Sequence, residues 1–77
     1  MNVDGRLRRV FASVLGVDGS ALTDDDSTTT IEAWNSVNHI HLILALEAEF
    51  GVSFEPVEVA ELTSIRALRR RLAGGGE

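Results

Sequence analysis

The sequence predicts an all-α fold, a small four-helix bundle of three longer helices and one short helix with a long first loop. Three observations predict it. Apolar residues recur at helical spacing in separate stretches, glycines stand where the first two stretches end, and no strand pattern is strong enough to compete. A chain of 77 residues has interior for a single small core. With no internal repeat and no linker in view, residues 1–77 are expected to form one stand-alone domain.

The elements follow in order. Leu7, Val10, Phe11, Val14 and Leu15 fall on one face of an amphipathic helix, with Asn2 or Asp4 as its candidate N-cap and Gly16 as its stop. From Val17 to Asn35 the chain is rich in Asp, Ser and Thr and lacks a sustained period, which predicts an ordered loop pinned by Leu22 and Ile31. A second helix is expected to start at Ser36 or just before it and to run to Phe50, because Gly51 is a natural residue for the left-handed turn after a helix. Its apolar positions, from Val37 and Ile40 through Leu42, Ile43, Leu44 and Leu46 to Phe50, make more than one stripe, as in a largely buried helix or one with a second apolar face for partners. Pro56 suits the first turn of a short helix over roughly Val57 to Leu62. Thr63 or Ser64 can cap a last helix whose Ile65, Leu68 and Leu72 share a face, ending in a frayed Gly74-Gly75-Gly76 tail. The shared core is expected to contain Phe11, Leu15, Ile43, Leu46, Phe50, Ile65 and Leu68.

Composition removes several function classes. There is no cysteine, so disulfides, thiolate catalysis and cysteine-ligated zinc are excluded, and any thioester chemistry needs a thiol brought by a cofactor. Apolar residues make up 44% of the chain, yet no apolar run approaches the roughly 20 residues that cross a bilayer, and the first ten residues lack a secretory apolar segment. The chain is therefore expected to be cytoplasmic, monomeric and free of membrane. Between Ala12 and Ile65 stand ten acidic residues and no Lys or Arg, while the flanks hold all seven arginines against Asp4 and Glu77, giving the net −5. An acidic body repels nucleic acid and favours partners with basic docking surfaces.

Few side chains are candidates for chemistry. Ser36 stands where loop becomes helix, with unpaired N–H groups and the positive end of the helix dipole beside it, so a hydroxyl there suits an attached phosphate. The bland alternative makes Ser36 only the helix cap. His39 and His41 point about 200° apart on a helix and so cannot chelate one ion, which leaves them as solvent-facing or interface residues and no metal site. Ser36 and His39 share a helix face as a nucleophile and base would, but no third orienting group is evident, so no catalytic residue is assigned and the chain is not expected to be an enzyme. Asp24-Asp25-Asp26 lacks the glycine and terminal glutamate of a calcium loop and reads as a solvated turn. Arg69-Arg70-Arg71 is expected in a final helical turn, where cations offset the dipole.

The run Trp34-Asn35-Ser36-Val37-Asn38-His39-Ile40-His41-Leu42-Ile43-Leu44-Ala45-Leu46-Glu47-Ala48-Glu49-Phe50-Gly51-Val52 resembles the acyl carrier protein family. The family's pattern is Asp-Ser-Leu followed by an apolar helix ending in Leu-Glu-x-Glu-Phe, and the resemblance continues to Leu62-Thr63-Ser64-Ile65. It implies that Ser36 is the cofactor-binding residue, joined covalently to 4′-phosphopantetheine from coenzyme A, and that Ile40, Leu42, Leu46 and Phe50 belong to the helix that shelters the acyl chain and meets partners. It further implies a discrete carrier that presents thioesters to fatty-acid, polyketide or other specialised biosynthetic enzymes. The partners implied are a phosphopantetheinyl transferase and the enzymes that load and transfer acyl groups, meeting a surface of Asn35, Val37, Ile40, His41 and Glu47. An aminoacyl or peptidyl carrier is the alternative, although the Gly-Gly-His-Ser core usual there is absent; an unmodified helical interaction module is a second. Three residues depart from the acyl carrier pattern: Asn35 replaces the usual Asp, Ala33 an expected Gly, and His41 a common acid.

Overall fold

The computed structural model describes residues 3–75. Its elements are α1 (Val3–Leu15), a 3-10 turn (Gly19–Ala21), α2 (Ser36–Phe50), α3 (Pro56–Glu61) and α4 (Ile65–Gly75). The fold is an all-helical bundle of the acyl-carrier type, three helices long and one short, and among the described residues the only β feature is an isolated bridge between Ser27 and Ser64. Gly16 and Gly51 both hold positive φ, 70° and 66°, where the chain leaves α1 and α2, as their places in the sequence predict.

Three boundaries differ from expectation. Pro56 itself opens α3, since its fixed φ and missing N–H fit the first helical position, and Glu55 and Glu58 form a reciprocal capping box around it. Gly74 and Gly75 continue α4 rather than fraying from it; Gly76 lies outside the described residues. Asp4 lies inside the first turn of α1, where its carboxylate receives Arg8 and Arg69 instead of capping the helix, and the other candidate cap, Asn2, lies outside the described residues. Ser64, of the two candidates, caps α4: its Oγ accepts the Ala67 N–H at 3.1 Å.

One core joins the three long helices. Leu7, Val10, Phe11 and Leu15 come from α1, Leu42, Ile43 and Leu46 from α2, and Ile65, Leu68 and Leu72 from α4; Leu22, Trp34, Phe54 and Leu62 close it from the connections. Phe50, expected among them, is half-buried, and the Arg6 guanidinium lies 4.5 Å over its ring. Arg6 also pairs with Glu49, so the start of α1 meets the end of α2 and the two helices run antiparallel.

The long loop is stitched down rather than loose. Arg8 donates to the Gly19 and Leu22 carbonyls at 2.8 Å each, Thr28 N–H reaches the Thr63 carbonyl, and Ile65 N–H reaches the Asp26 carbonyl at 3.0 Å. The arginines of α4 do not sit in its final turn, because the helix runs on to Gly75. Arg69 binds Asp4 and Asp24, Arg66 binds Asp25 at 3.5 Å, and Arg71 binds Glu58 at 2.6 Å. The acidic triplet is thus spoken for. Asp24 and Asp25 face arginines, and Asp26 accepts the Thr23 N–H and the Thr30 hydroxyl, which hold its carboxyl below the usual aspartate range. Among the described residues, no helix is long and apolar enough to cross a membrane.

Candidate functional site

The start of α2 is built by Asn35, not by Ser36. Asn35 has extended backbone (φ −96°, ψ −178°), and its Oδ1 accepts the Asn38 N–H at 2.9 Å while its carbonyl accepts His39 N–H at 2.8 Å. Asn38 returns a side-chain bond to the Ala33 carbonyl at 2.8 Å. This reciprocal arrangement caps the helix without using the serine, so the bland alternative for Ser36 gives way to a physical fact: the cap is the residue before it.

Ser36 therefore occupies the first helical position with nothing to do in the fold. It is exposed, and its hydroxyl makes no hydrogen bond among the described residues. The amides of Ser36 and Val37 precede the first residues that the helix and its cap can satisfy, so they face outward with the positive end of the dipole. An oxygen esterified to phosphate fits this position: the exposed Oγ is uncommitted, the amides beside it suit an anion, and no acidic residue stands in the first turn to repel it.

Around the serine, exposed apolar side chains replace charge. Val37 and Ile40 are 66% and 51% exposed, Leu44 continues the same face, and Val57 projects from α3. Asn35, Val37, Ile40 and His41, four of the residues expected to meet partners, are exposed near Ser36. The fifth, Glu47, stands about three turns further on, half-buried, with its carboxylate accepting the Phe54 N–H at 2.8 Å. It ties the α2–α3 connection in place. Leu42 and Leu46 are fully buried in the core, so of the helix residues assigned to an acyl chain only Ile40 is largely open and Phe50 partly so.

The two histidines separate as their spacing requires, but only His41 faces solvent. His39 is buried, contrary to expectation. The Trp34 indole N–H donates to its Nδ1 at 2.9 Å, and its Nε2 lies 2.6 Å from the Val59 carbonyl. Because an indole only donates, Nδ1 must accept; the ring proton is then on Nε2, donated to Val59. Both ring nitrogens are thereby occupied, and His39 has no free lone pair with which to serve Ser36 as a base. The Trp34 ring is itself held edge-on by Phe11 at 4.9 Å. Sequence reasoning missed this bridge, although one signal was available: His39 precedes Leu42, Ile43 and Leu46 by three, four and seven residues, which places it on the buried face.

Elsewhere, an open groove of about 470 Å³ lies between α1 and α2, where Val10, Val14, Ala45 and Ala48 are flanked by Arg9 and Glu49. Ser36 does not line it. Among the described residues, no group of three or more His, Asp or Glu side chains converges as a metal site would require. A family model described as a phosphopantetheine attachment site matches residues 5–72, a span that reaches from α1 into α4 and contains Ser36.

Proposed function

The chain belongs to the phosphopantetheine attachment site family, whose members carry 4′-phosphopantetheine covalently, and from that premise we propose that this chain carries it on Ser36 as an acyl carrier. Carriers of this family work with phosphopantetheinyl transferases and biosynthetic enzymes. The observation that carries the assignment to Ser36 is its exposed hydroxyl, left unbonded at the head of α2 because Asn35 does the capping.

In the loading step Ser36 Oγ gives up its proton and bonds to the phosphorus of the phosphopantetheine unit of coenzyme A. The diphosphate P–O bond breaks, and adenosine 3′,5′-bisphosphate leaves. The base comes from the transferase, since His39 is bonded on both ring nitrogens. The group supplies a terminal thiol, which a chain without cysteine lacks, and on which an acyl group is held as a thioester. The chain's own part is to present the oxygen on a rigid helix start, place outward amides beside the phosphate, and offer Val37 and Ile40 to the enzymes that approach. It has no catalytic part in this reading. Its acyl groups belong to fatty-acid, polyketide or other specialised biosynthesis, and the protein acts in the cytoplasm as a monomer.

Intact mass after incubation with a phosphopantetheinyl transferase and coenzyme A tests the reading. One phosphopantetheine and one new thiol are expected, and Ser36→Ala should remove both without altering the fold. Modification that survives in that variant would sink the assignment.

A further inference from the structure

We propose that the Trp34–His39–Val59 bridge latches α3 against α2, so that this carrier keeps its cargo in solvent and suits short or polar acyl groups rather than long apolar ones. This rests on the attachment at Ser36 and adds the class of cargo.

Three elements meet at His39, three residues beyond the point where the arm leaves: the loop ending in Trp34, α2 itself, and α3 through the Val59 carbonyl. An apolar chain hanging from Ser36 would enter the interior by parting α2 from one of its neighbours. One hydrogen-bond chain closes both seams. The Trp34 indole N–H holds His39 at 2.9 Å, closing loop to helix, and the His39 ring holds the Val59 carbonyl at 2.6 Å, closing helix to helix. Val59 is in the last turn of α3, where carbonyls have no partner within the helix, so the imidazole N–H fills a vacancy that the short helix creates. No residue of α3 is itself fully buried, which leaves the helix dependent on such outside ties. Glu58 and Arg71 provide one at 2.6 Å, and the His39 bridge is the one beside Ser36.

Behind the latch the side chains are closed to solvent. Trp34 is 1% exposed and packed edge-on against Phe11, and Leu42 and Leu46 are closed to solvent. The open groove lies on the α1 side of α2, lined by Ala45 and Ala48. Ala45 is nine residues beyond Ser36, half a rotation around the helix from it.

The experiment loads the full chain by transferase from acetyl-, octanoyl- and dodecanoyl-coenzyme A. Mass spectrometry first establishes that each arm sits on Ser36; a chain that takes no arm there refutes the attachment before the latch is in question. Thioester cleavage by hydroxylamine is then timed for each acyl length. The unaltered protein is expected to lose all three acyl groups at about the same rate. Trp34→Phe, which keeps a ring but removes the N–H, and His39→Leu, which keeps apolar bulk but removes both bonds, are expected to slow dodecanoyl cleavage several-fold relative to acetyl. Should His39→Leu not fold, Trp34→Phe alone decides. Chain-length protection in the unaltered protein, or a flat length series in a folded variant, overturns the proposal.

Discussion

The start of α2 and the seam where α1, the long loop and α4 meet use polar groups in opposite ways. In the seam nearly every charge has a partner: Arg69 spans Asp4 and Asp24, Arg66 meets Asp25, and Arg8 holds Asp4 and two loop carbonyls. At the head of α2 the serine hydroxyl is free, the flanking residues are neutral, and valine and isoleucine face solvent. The difference teaches that this chain gathers its paired charges in the seam and leaves the head of α2, the proposed attachment end, uncharged. Acids that as a sequence suggested attraction to basic partners are partly answered by the chain's own arginines, including Glu49 by Arg6 and Glu58 by Arg71.

Substitutions should therefore separate the two regions, and the core beneath both sets the upper bound. Leu46→Ala removes a fully buried side chain and is expected to cost about 2–5 kcal/mol, read as a lower denaturant midpoint; no change would mean that the core is not where it is described. In the seam, Arg69→Ala leaves Asp4 and Asp24 without their shared cation. The pair is partly exposed, so the expected loss is about 1 kcal/mol, with the rate of Ser36 modification unchanged. At the working end, Asn35→Ala should cost a similar amount, about 1 kcal/mol, through the lost cap. Unlike Arg69→Ala, it should also slow modification, because the helix start that presents Ser36 would fray. Equal modification rates for both variants would break the comparison.

The smallest effect expected is on acid stability, and it belongs to the seam. The Arg8 and Arg69 guanidinium groups hold the Asp4 carboxyl below the ordinary aspartate value, and hydrogen bonds from the Thr23 amide and Thr30 hydroxyl do the same for Asp26. A carboxyl lowered in the folded state contributes stability that is present above its unfolded value, about pH 4, and is lost as pH falls through the folded one. Thermal midpoints should accordingly drop below about pH 4. Arg69→Ala should make that drop shallower, and Asn35→Ala should leave it alone.

Much of this was legible in the sequence, for identifiable reasons. Helix spacing placed Phe11, Leu15, Ile43, Leu46, Ile65 and Leu68 in the core, and Gly16 and Gly51 at the positive-φ stops. What escaped depends on tertiary partners that no local rule supplies. Nothing in Arg69 names Asp4, sixty-five residues away, and nothing in His39 names the Val59 carbonyl. The cap was left open between neighbours for a different reason: Asn and Ser are near-equal caps, and the structure gives the role to Asn35, with Asn38 bonded back to the Ala33 carbonyl. That one-residue difference matters most, because it leaves the serine hydroxyl free.

The central claim is that Ser36, alone among the hydroxyls, bears the arm. Fragmentation of the modified protein locates the arm directly, since Ser13, Ser20, Ser27, Ser53 and Ser64 fall at distinct places in the chain. The arm is expected on Ser36 and nowhere else. An arm found on any other side chain, or none after incubation with an active transferase, would contradict the account.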